Sequence, residues 1–425
     1  MKNMHIKIKG KNSFILYSLV LCLLLFSGSG IQVIFPRASS YLLIFVTGLL
    51  LLRLLFGRLK NNIVVPICFV FFIMMSMLLN LDFPKFDSYV VVACIIISAY
   101  VVVRIFPVKD LLHIYSNIIF LSALISIIGY IIVNSENSIP FEKVYISDNQ
   151  LYKYHTVYFY NWIEGLPERN CGFFWEPGIF ASHLILVMQY QLFSRGKKWR
   201  YIIIETVALF TCNSTAGFFL LVIFFAEILI GCNTNNKKYR ILKGIISGGV
   251  LITLFLIVIN LDTIIYSFGL DKNEYIKKLL SENLTKNTRF LSIAYNIKMF
   301  LKSPLLGNGL TGSVIIDNIS NLTPDTTTSF YMLNAFGLIG ALFTILLIRG
   351  ILKINFLSIT SRILLLCTIM IIINKEPHYA MATTWGLLFG LLDAPYLKES
   401  YRRKSIITKE EMNAFKDKRK NTVFR

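Results

Sequence analysis

Long apolar runs broken by short polar segments set the pattern of this chain. Runs suited to helices that cross a bilayer fall at about 13–34, 40–57, 63–80, 88–106, 111–133, 177–194, 199–213, 215–232, 242–266, 327–348, 355–374 and 379–395. A run of about 20 apolar residues spans a ~30 Å hydrocarbon core, and the absence of water there forces the backbone into helices. The pattern therefore predicts an all-α integral membrane protein of about twelve transmembrane helices in a single polytopic domain. Two spans are irregular: the seventh is short, and the eleventh contains Arg362, so 351–362 is open to lying along the interface instead. No internal repeat and no paired broken helices are visible; the nearest thing to a break is Asn213-Ser214-Thr215-Ala216-Gly217, between the seventh and eighth spans.

Composition agrees with this reading. Of 425 residues, 55% are hydrophobic and only 16% charged, with a mean hydropathy of +0.64, far from soluble usage. The net charge of +20 does not point to nucleic acid, because no fold for base readout accompanies it. Its placement points to membrane topology instead. Arg53, Arg58, Lys60, Arg104, Lys109, Arg195, Lys197, Lys198, Arg200, Lys237, Lys238, Arg240, Lys243, Arg349 and Lys353 occupy alternate short loops. The opposite short loops hold little more than Arg37, Lys85 and Lys375. By the positive-inside rule both termini are expected in the cytoplasm, with the basic tail over 396–425 solvated or on lipid headgroups. Lys7, Lys9 and Lys11 before the first apolar run resemble a signal peptide, read here as an uncleaved first helix because spans continue along the chain.

Two long polar segments, 134–176 and 267–326, then face outward as large periplasmic loops. The first contains Tyr145, Tyr152, Tyr154, Tyr158, Tyr160 and Trp162, too aromatic for a disordered segment. It is expected to fold or to lie on the interface, where aromatic rings form belts and also suit stacking on sugars. The seven cysteines show no framework and read as small hydrophobes, apart from Cys171 in the first outer loop. No His, Asp or Glu cluster has metal-ligand spacing, and no metal or cofactor is expected.

The most informative stretch runs from Glu168 to Ala181, where the first outer loop enters the sixth span. Pro177 suits the first helical turn, so Glu176 stands at the helix mouth, where a carboxylate complements the dipole. Arg169 either pairs with it or faces an anionic ligand. His183 follows Glu176 by two turns and shares its face, as a functional ionisable group or as a hydrogen-bonded helix contact.

Arg169, Gly172, Glu176-Pro177-Gly178 and Ala181 resemble the R-x-x-G-x-x-x-E-P-G-x-x-A pattern of the bacterial O-antigen polymerase family. Three further stretches resemble the family in order. They are Ser214-Thr215-Ala216-Gly217 after Asn213 (S-T-x-G), Pro304-Leu305-Leu306-Gly307-Asn308-Gly309 after Lys302-Ser303 (P-x-x-G-x-G), and Gly337-Leu338-Ile339-Gly340 (G-L-I-G). Together they cover roughly 165–345. Related O-antigen ligases carry Arg where this chain has Thr215 and tend to carry a His in the large loop, whereas no His lies between 184 and 377 here. Both departures tilt the resemblance from ligase toward polymerase.

The resemblance implies a membrane glycosyltransferase that polymerises undecaprenyl-diphosphate-linked oligosaccharide at the periplasmic face of the inner membrane, with a chain-length regulator as an expected partner. A diphosphate leaving group needs charge stabilisation more than protonation, and Arg supplies it through permanently charged, bidentate donors. Arg169 and Arg289 are the candidates for that role. Glu176 is the candidate base for the acceptor hydroxyl. Its pKa is pulled upward by desolvation and downward by Arg169, and the sequence leaves the balance open. His183, Lys298, Lys302, Asn213, Ser214, Gly307 and Gly309 are candidates for substrate binding. Lys298 and Lys302 are neighbours at i and i+4, and a solvated face is the plain alternative for both. His155 and His378 form a second tier near outer faces. A flippase of lipid-linked oligosaccharide is the rival from another class. It should show charges within spans and short outer loops, whereas here in-span charges are few (Arg53, Glu205, Glu227 and Arg362 lie near or within spans) and the outer loops are large.

Overall fold

The computed structural model describes residues 11–55, 63–135, 142–146, 153–157, 160–194, 199–231, 249, 288–312 and 326–392. The expected ninth span (242–266, Gly249 apart), most of the second outer loop and the basic tail lie outside them. The described chain is mostly helical. Its order begins α1 (Lys11–Phe26), α2 (Gly30–Ile34), α3 (Pro36–Leu55), α4 (Val64–Leu79), α5 (Phe86–Ile105) and α6 (Val108–Asn134). Three strands follow, β1 (Lys143–Ile146), β2 (Lys153–Val157) and β3 (Tyr160–Ile163), then α7 (Pro177–Phe193), α8 (Trp199–Thr211) and α9 (Thr215–Gly231). The remainder is α10 (Thr288–Lys302), α11 (Gly309–Gly312), α12 (Thr328–Phe336), α13 (Leu338–Leu352), α14 (Ile359–Ile373) and α15 (Ala382–Leu392).

Two helical segments, Phe83–Ile105 and Val108–Asn134, are long and apolar enough to cross a membrane, and several shorter apolar helices accompany them. Large apolar side chains on the outer helices point away from the protein, among them Phe45, Phe71, Ile131, Ile203 and Phe225. In water such faces would be unstable, whereas hydrocarbon accepts them. α7 is the opposite case. It is apolar nearly all round, buried along almost its whole length, and packed against α6, α8 and α9, as a central helix should be.

Two expected spans are not single helices. The first is interrupted at Ser27–Ser29, where the Gly30 amide donates to the Phe173 carbonyl (2.9 Å). The span expected at 327–348 divides at Gly337, whose φ of +60° lies in the left-handed region. There α12 folds back on α13 so closely that a Cβ on Gly340 would stand 1.8 Å from the Met332 carbonyl oxygen. Arg362 sits in the first turn of α14, and its guanidinium donates to the carbonyls of Leu352 and Leu357 (2.9 and 3.1 Å). The bond to Leu352 satisfies an orphan acceptor at the end of α13.

The described part of the expected first outer loop is folded, and it departs from an all-α plan. β1, β2 and β3 form an antiparallel sheet in which Tyr145 faces Tyr154 and His155 faces Trp162. Every residue of β3 is buried. Tyr160 rests on α6 so closely that a Cβ on Gly129 would meet its ring at 2.5 Å. Tyr154, Tyr160 and Trp162 are buried and build a small core seated on the bundle, while Tyr152 and Tyr158 lie outside the described residues.

Candidate functional site

The E-P-G-x-x-A and S-T-x-G stretches meet in space. Glu176 is the N-cap of α7 in extended conformation and Pro177 takes the first helical position, as the sequence implied. The Glu176 side chain makes no capping bond to α7. Ser214 precedes α9 and accepts the Gly217 amide (3.3 Å), while Asn213 turns the chain with a φ of +47°. Gly217 lets α9 approach α7: a Cβ there would meet the Ala181 Cβ at 3.2 Å.

Asn170 locks this corner. Its amide nitrogen donates to Ser126 Oγ (3.0 Å) on α6 and Thr211 Oγ1 (2.8 Å) on α8, and its carbonyl oxygen accepts the Gly172 amide (2.8 Å). With no exposed surface, it satisfies itself and the turn that carries Arg169. Arg169 and Glu176 both act electrostatically on the buried Cys171 thiol, which burial pushes well above its ordinary pKa. Arg169 and Lys375 likewise both act on Cys212. The Asn170 backbone amide donates to the Thr211 carbonyl (2.9 Å), which sets the turn carrying Arg169 beside the Asn213–Gly217 corner, and Lys375 shares that neighbourhood with Glu176.

Lys375 is the residue the sequence undervalued. It lies between α14 and α15 in Asn374-Lys375-Glu376-Pro377-His378, and only 6% of its surface is exposed. Its Nζ donates to Ser214 Oγ at 2.6 Å. Lys375 and Glu376 lie across the first turn of α7. A Cβ on Gly178 would come 2.8 Å from Lys375 Nζ and 2.5 Å from Glu376 Oε1, so the glycine of E-P-G leaves room for both. Glu376 there complements the positive end of the α7 dipole. Its backbone carbonyl accepts the Thr328 hydroxyl (2.9 Å), and the Asn374 side chain accepts the Ser329 amide (3.0 Å), which fastens α12 to the same segment.

Two histidines lie beneath. His183 bonds Tyr115 through Nδ1 (2.6 Å) and stacks on Phe174 with ring centroids 4.3 Å apart. His378 bonds Thr384 Oγ1 through Nδ1 (3.1 Å). Neither Nε2 has a hydrogen-bond partner among the described residues. Burial, with a further push from Lys375, holds His378 neutral by lowering its pKa to about 3. Their surroundings explain the sequence poorly in advance: only His183 shares a face with Glu176, while His378 arrives from nearly 200 residues away.

The P-x-x-G-x-G and G-L-I-G stretches interlock in the same manner. The Asn308 amide donates to the Asn334 carbonyl (2.9 Å) and the Leu338 amide to the Pro304 carbonyl (3.0 Å). Gly307, at φ +73°, lies against the backbone of Ala335. Gly309, at φ +71°, lies beside Tyr89 and Asp82. Asp82, 4% exposed, accepts from the Thr311 amide (2.9 Å) and hydroxyl and from Tyr89 (2.9 Å), tying this loop to the α4–α5 connection. Both glycines therefore have a packing role beside the substrate role expected of them. Lys298 and Lys302 lie on the exposed side of α10, away from the buried Ser292 and Asn296. Arg289 is in the first turn of α10, and its side chain lies outside the described residues. Among the described residues no group of three or more His, Cys, Asp and Glu side chains suits a metal ion.

No protein-family model matches the chain, and no curated protein matches it.

Proposed function

We propose that the chain is a membrane glycosyltransferase that polymerises lipid-linked oligosaccharide, in the manner of the O-antigen polymerases its motifs resemble. The observation that carries this reading is the convergence of Arg169, Glu176 and Lys375 at the mouth of α7, assembled from stretches more than 190 residues apart. Two cations beside the carboxylates of Glu176 and Glu376 suit transfer from a lipid diphosphate. The acceptor hydroxyl oxygen attacks the anomeric carbon as the bond from that carbon to the diphosphate breaks. Glu176 takes the hydroxyl proton. Arg169 and Lys375 stabilise the charge that the departing diphosphate retains. By the distribution of Lys and Arg, the α7 mouth faces the periplasm across the inner membrane, with both termini cytoplasmic and about twelve spans.

The flippase reading draws on a different observation. Glu205 and Glu227 are fully buried between helices, held by Gln191 (2.9 Å) and Gln189 (3.1 Å), and ionisable groups within spans often mark transport paths. One experiment separates the readings. A deletion strain complemented with Arg169→Ala, Glu176→Gln, Arg289→Ala or Lys375→Met is expected to insert the protein yet display single-repeat surface glycan instead of a ladder. Loss of a flippase removes even the single repeat, and loss of a ligase leaves polymer on its lipid carrier. A full ladder from all four variants refutes the assignment.

A further inference from the structure

A second polar feature stands at the opposite end of the bundle. Tyr89, beside Asp82, and Arg104 lie on the same helix, about 22 Å apart along its axis at ~1.5 Å per residue. Around Arg104 the ends of α4, α5, α13 and α15 enclose a cavity of about 240 Å³. That is several times the ~30 Å³ one water occupies in the liquid, so it is no single-water void. Three cations line it, Arg104, Arg349 and Lys353, and no carboxylate among the described residues does. Arg349 and Lys353 are exposed, and their side chains form no hydrogen bond or ion pair with another described residue. Gly350 brings α13 and α15 close here, since a Cβ on it would meet the Leu391 Cβ at 2.7 Å.

The cavity also holds a buried donor. Tyr100 is 3% exposed, lines the cavity, and its hydroxyl has no hydrogen-bond partner among the described residues. The Arg104 guanidinium lies over the Tyr100 ring, 5.2 Å from its centroid. Arg349 and Lys353 converging in one cleft repel each other, and a buried hydroxyl without a partner is unfavourable. One anion with several acceptor oxygens offsets both.

The remaining wall identifies what carries the anion. Leu346, Phe389 and Leu391 line the same cavity, and Ile345 and Leu352 on α13 are turned outward nearby. A ligand with phosphate joined to hydrocarbon satisfies both halves, and a free inorganic anion satisfies only one. The end of the bundle bearing most of the Lys and Arg is also where anionic headgroups gather. We propose that this cleft binds the phosphate headgroup of an anionic phospholipid, with Arg104, Arg349, Lys353 and the Tyr100 hydroxyl as its donors. This site is separate from the α7 mouth and does not depend on the polymerase reading.

The test is thermal unfolding of the full-length protein in a neutral detergent, titrated separately with phosphatidylglycerol, phosphatidylcholine and inorganic phosphate. Phosphatidylglycerol should raise the unfolding temperature saturably, and the other two should not. The Arg349→Gln/Lys353→Gln double variant changes only exposed side chains, so folding is preserved. It should weaken the apparent affinity about tenfold or more, as loss of charged hydrogen bonds implies. Tyr100→Phe keeps the ring and should weaken it about fivefold to tenfold, while Lys143→Gln on the exposed strand β1 should change nothing. The proposal is overturned if phosphatidylcholine stabilises equally, or if the double variant and Tyr100→Phe titrate like the wild type. An equal shift with inorganic phosphate alone overturns the lipid assignment in favour of a soluble anion.

Discussion

Lys375 and Ser214 offer the sharpest test of the α7 mouth, because the reasoning there rests on one bond between residues 161 positions apart. The perturbation is a double-mutant cycle of Ser214→Ala and Lys375→Met. Lys375 is nearly fully buried, and a hydrogen bond to a charged group contributes about 1.5–3 kcal/mol. Ser214 also accepts the Gly217 amide at the start of α9, a capping role worth about 0.5–2 kcal/mol. In the wild-type background Ser214→Ala removes both and should cost about 2–5 kcal/mol. With methionine at 375 only the cap remains to lose, so the same change should cost about 0.5–2 kcal/mol. The coupling is therefore about 1.5–3 kcal/mol. Equilibrium unfolding in mixed micelles, with a rising fraction of denaturing detergent, measures all four corners. Additivity within about 0.5 kcal/mol, the spread seen for independent sites, would refute the buried pair and with it the place of Lys375 in the site.

Two further outcomes follow from the loops that hold the site. Burial acts to raise the Asp82 pKa, but its bonds from Thr311, Tyr89 and Leu310 outweigh burial and hold it below the usual carboxylate value; its stabilisation is thus complete above about pH 4 and lost as pH falls through the depressed value. Asp82→Asn should remove this acid-side dependence and destabilise the protein by about 1–3 kcal/mol, seen as a flatter unfolding curve against pH and easier proteolysis of the 304–312 loop. His378 has the same sign for a different reason: with its pKa lowered to about 3 in the folded protein and about 6.5 when unfolded, stability is full above pH 6.5 and falls by up to ~1.4 kcal/mol per pH unit below it. His378→Gln should flatten the unfolding midpoint between about pH 6 and 4, and an unchanged slope there contradicts a buried neutral imidazole.

The sequence made most helices legible because apolar runs leave the chain few alternatives in hydrocarbon. It hid the break at Gly337, since apolar residues flank it and only the backbone changes, whereas Ser27-Gly28-Ser29-Gly30 did carry a small-residue signal inside the first apolar run. The small sheet escaped as well, because its strands are short and its pattern is aromatic more than alternating. Glu176 at a helix mouth was readable from Pro177 alone. Lys375 was visible only as a rare outer cation, and Asp82 and Asn170 carried no local signal. Their partners are distant in sequence: Asp82 with Thr311, Asn170 with Ser126, Lys375 with Ser214.

The motif glycines explain why short patterns spread over the chain travel together. Gly178 admits Lys375 and Glu376, Gly217 admits Ala181, Gly307 admits the Ala335 backbone, and Gly340 admits Met332. Each marks a place where two stretches touch more closely than a side chain allows. The first two stretches form one clamp and the last two another, and the 374–379 segment joins them, bonding Ser214 on one side and Thr328 and Ser329 on the other. A site built this way is only as precise as that junction. Substitutions in Asn374 or Thr328, which belong to no motif, should therefore disturb the geometry around Glu176 as much as changes within the motifs do, because both act through the same backbone.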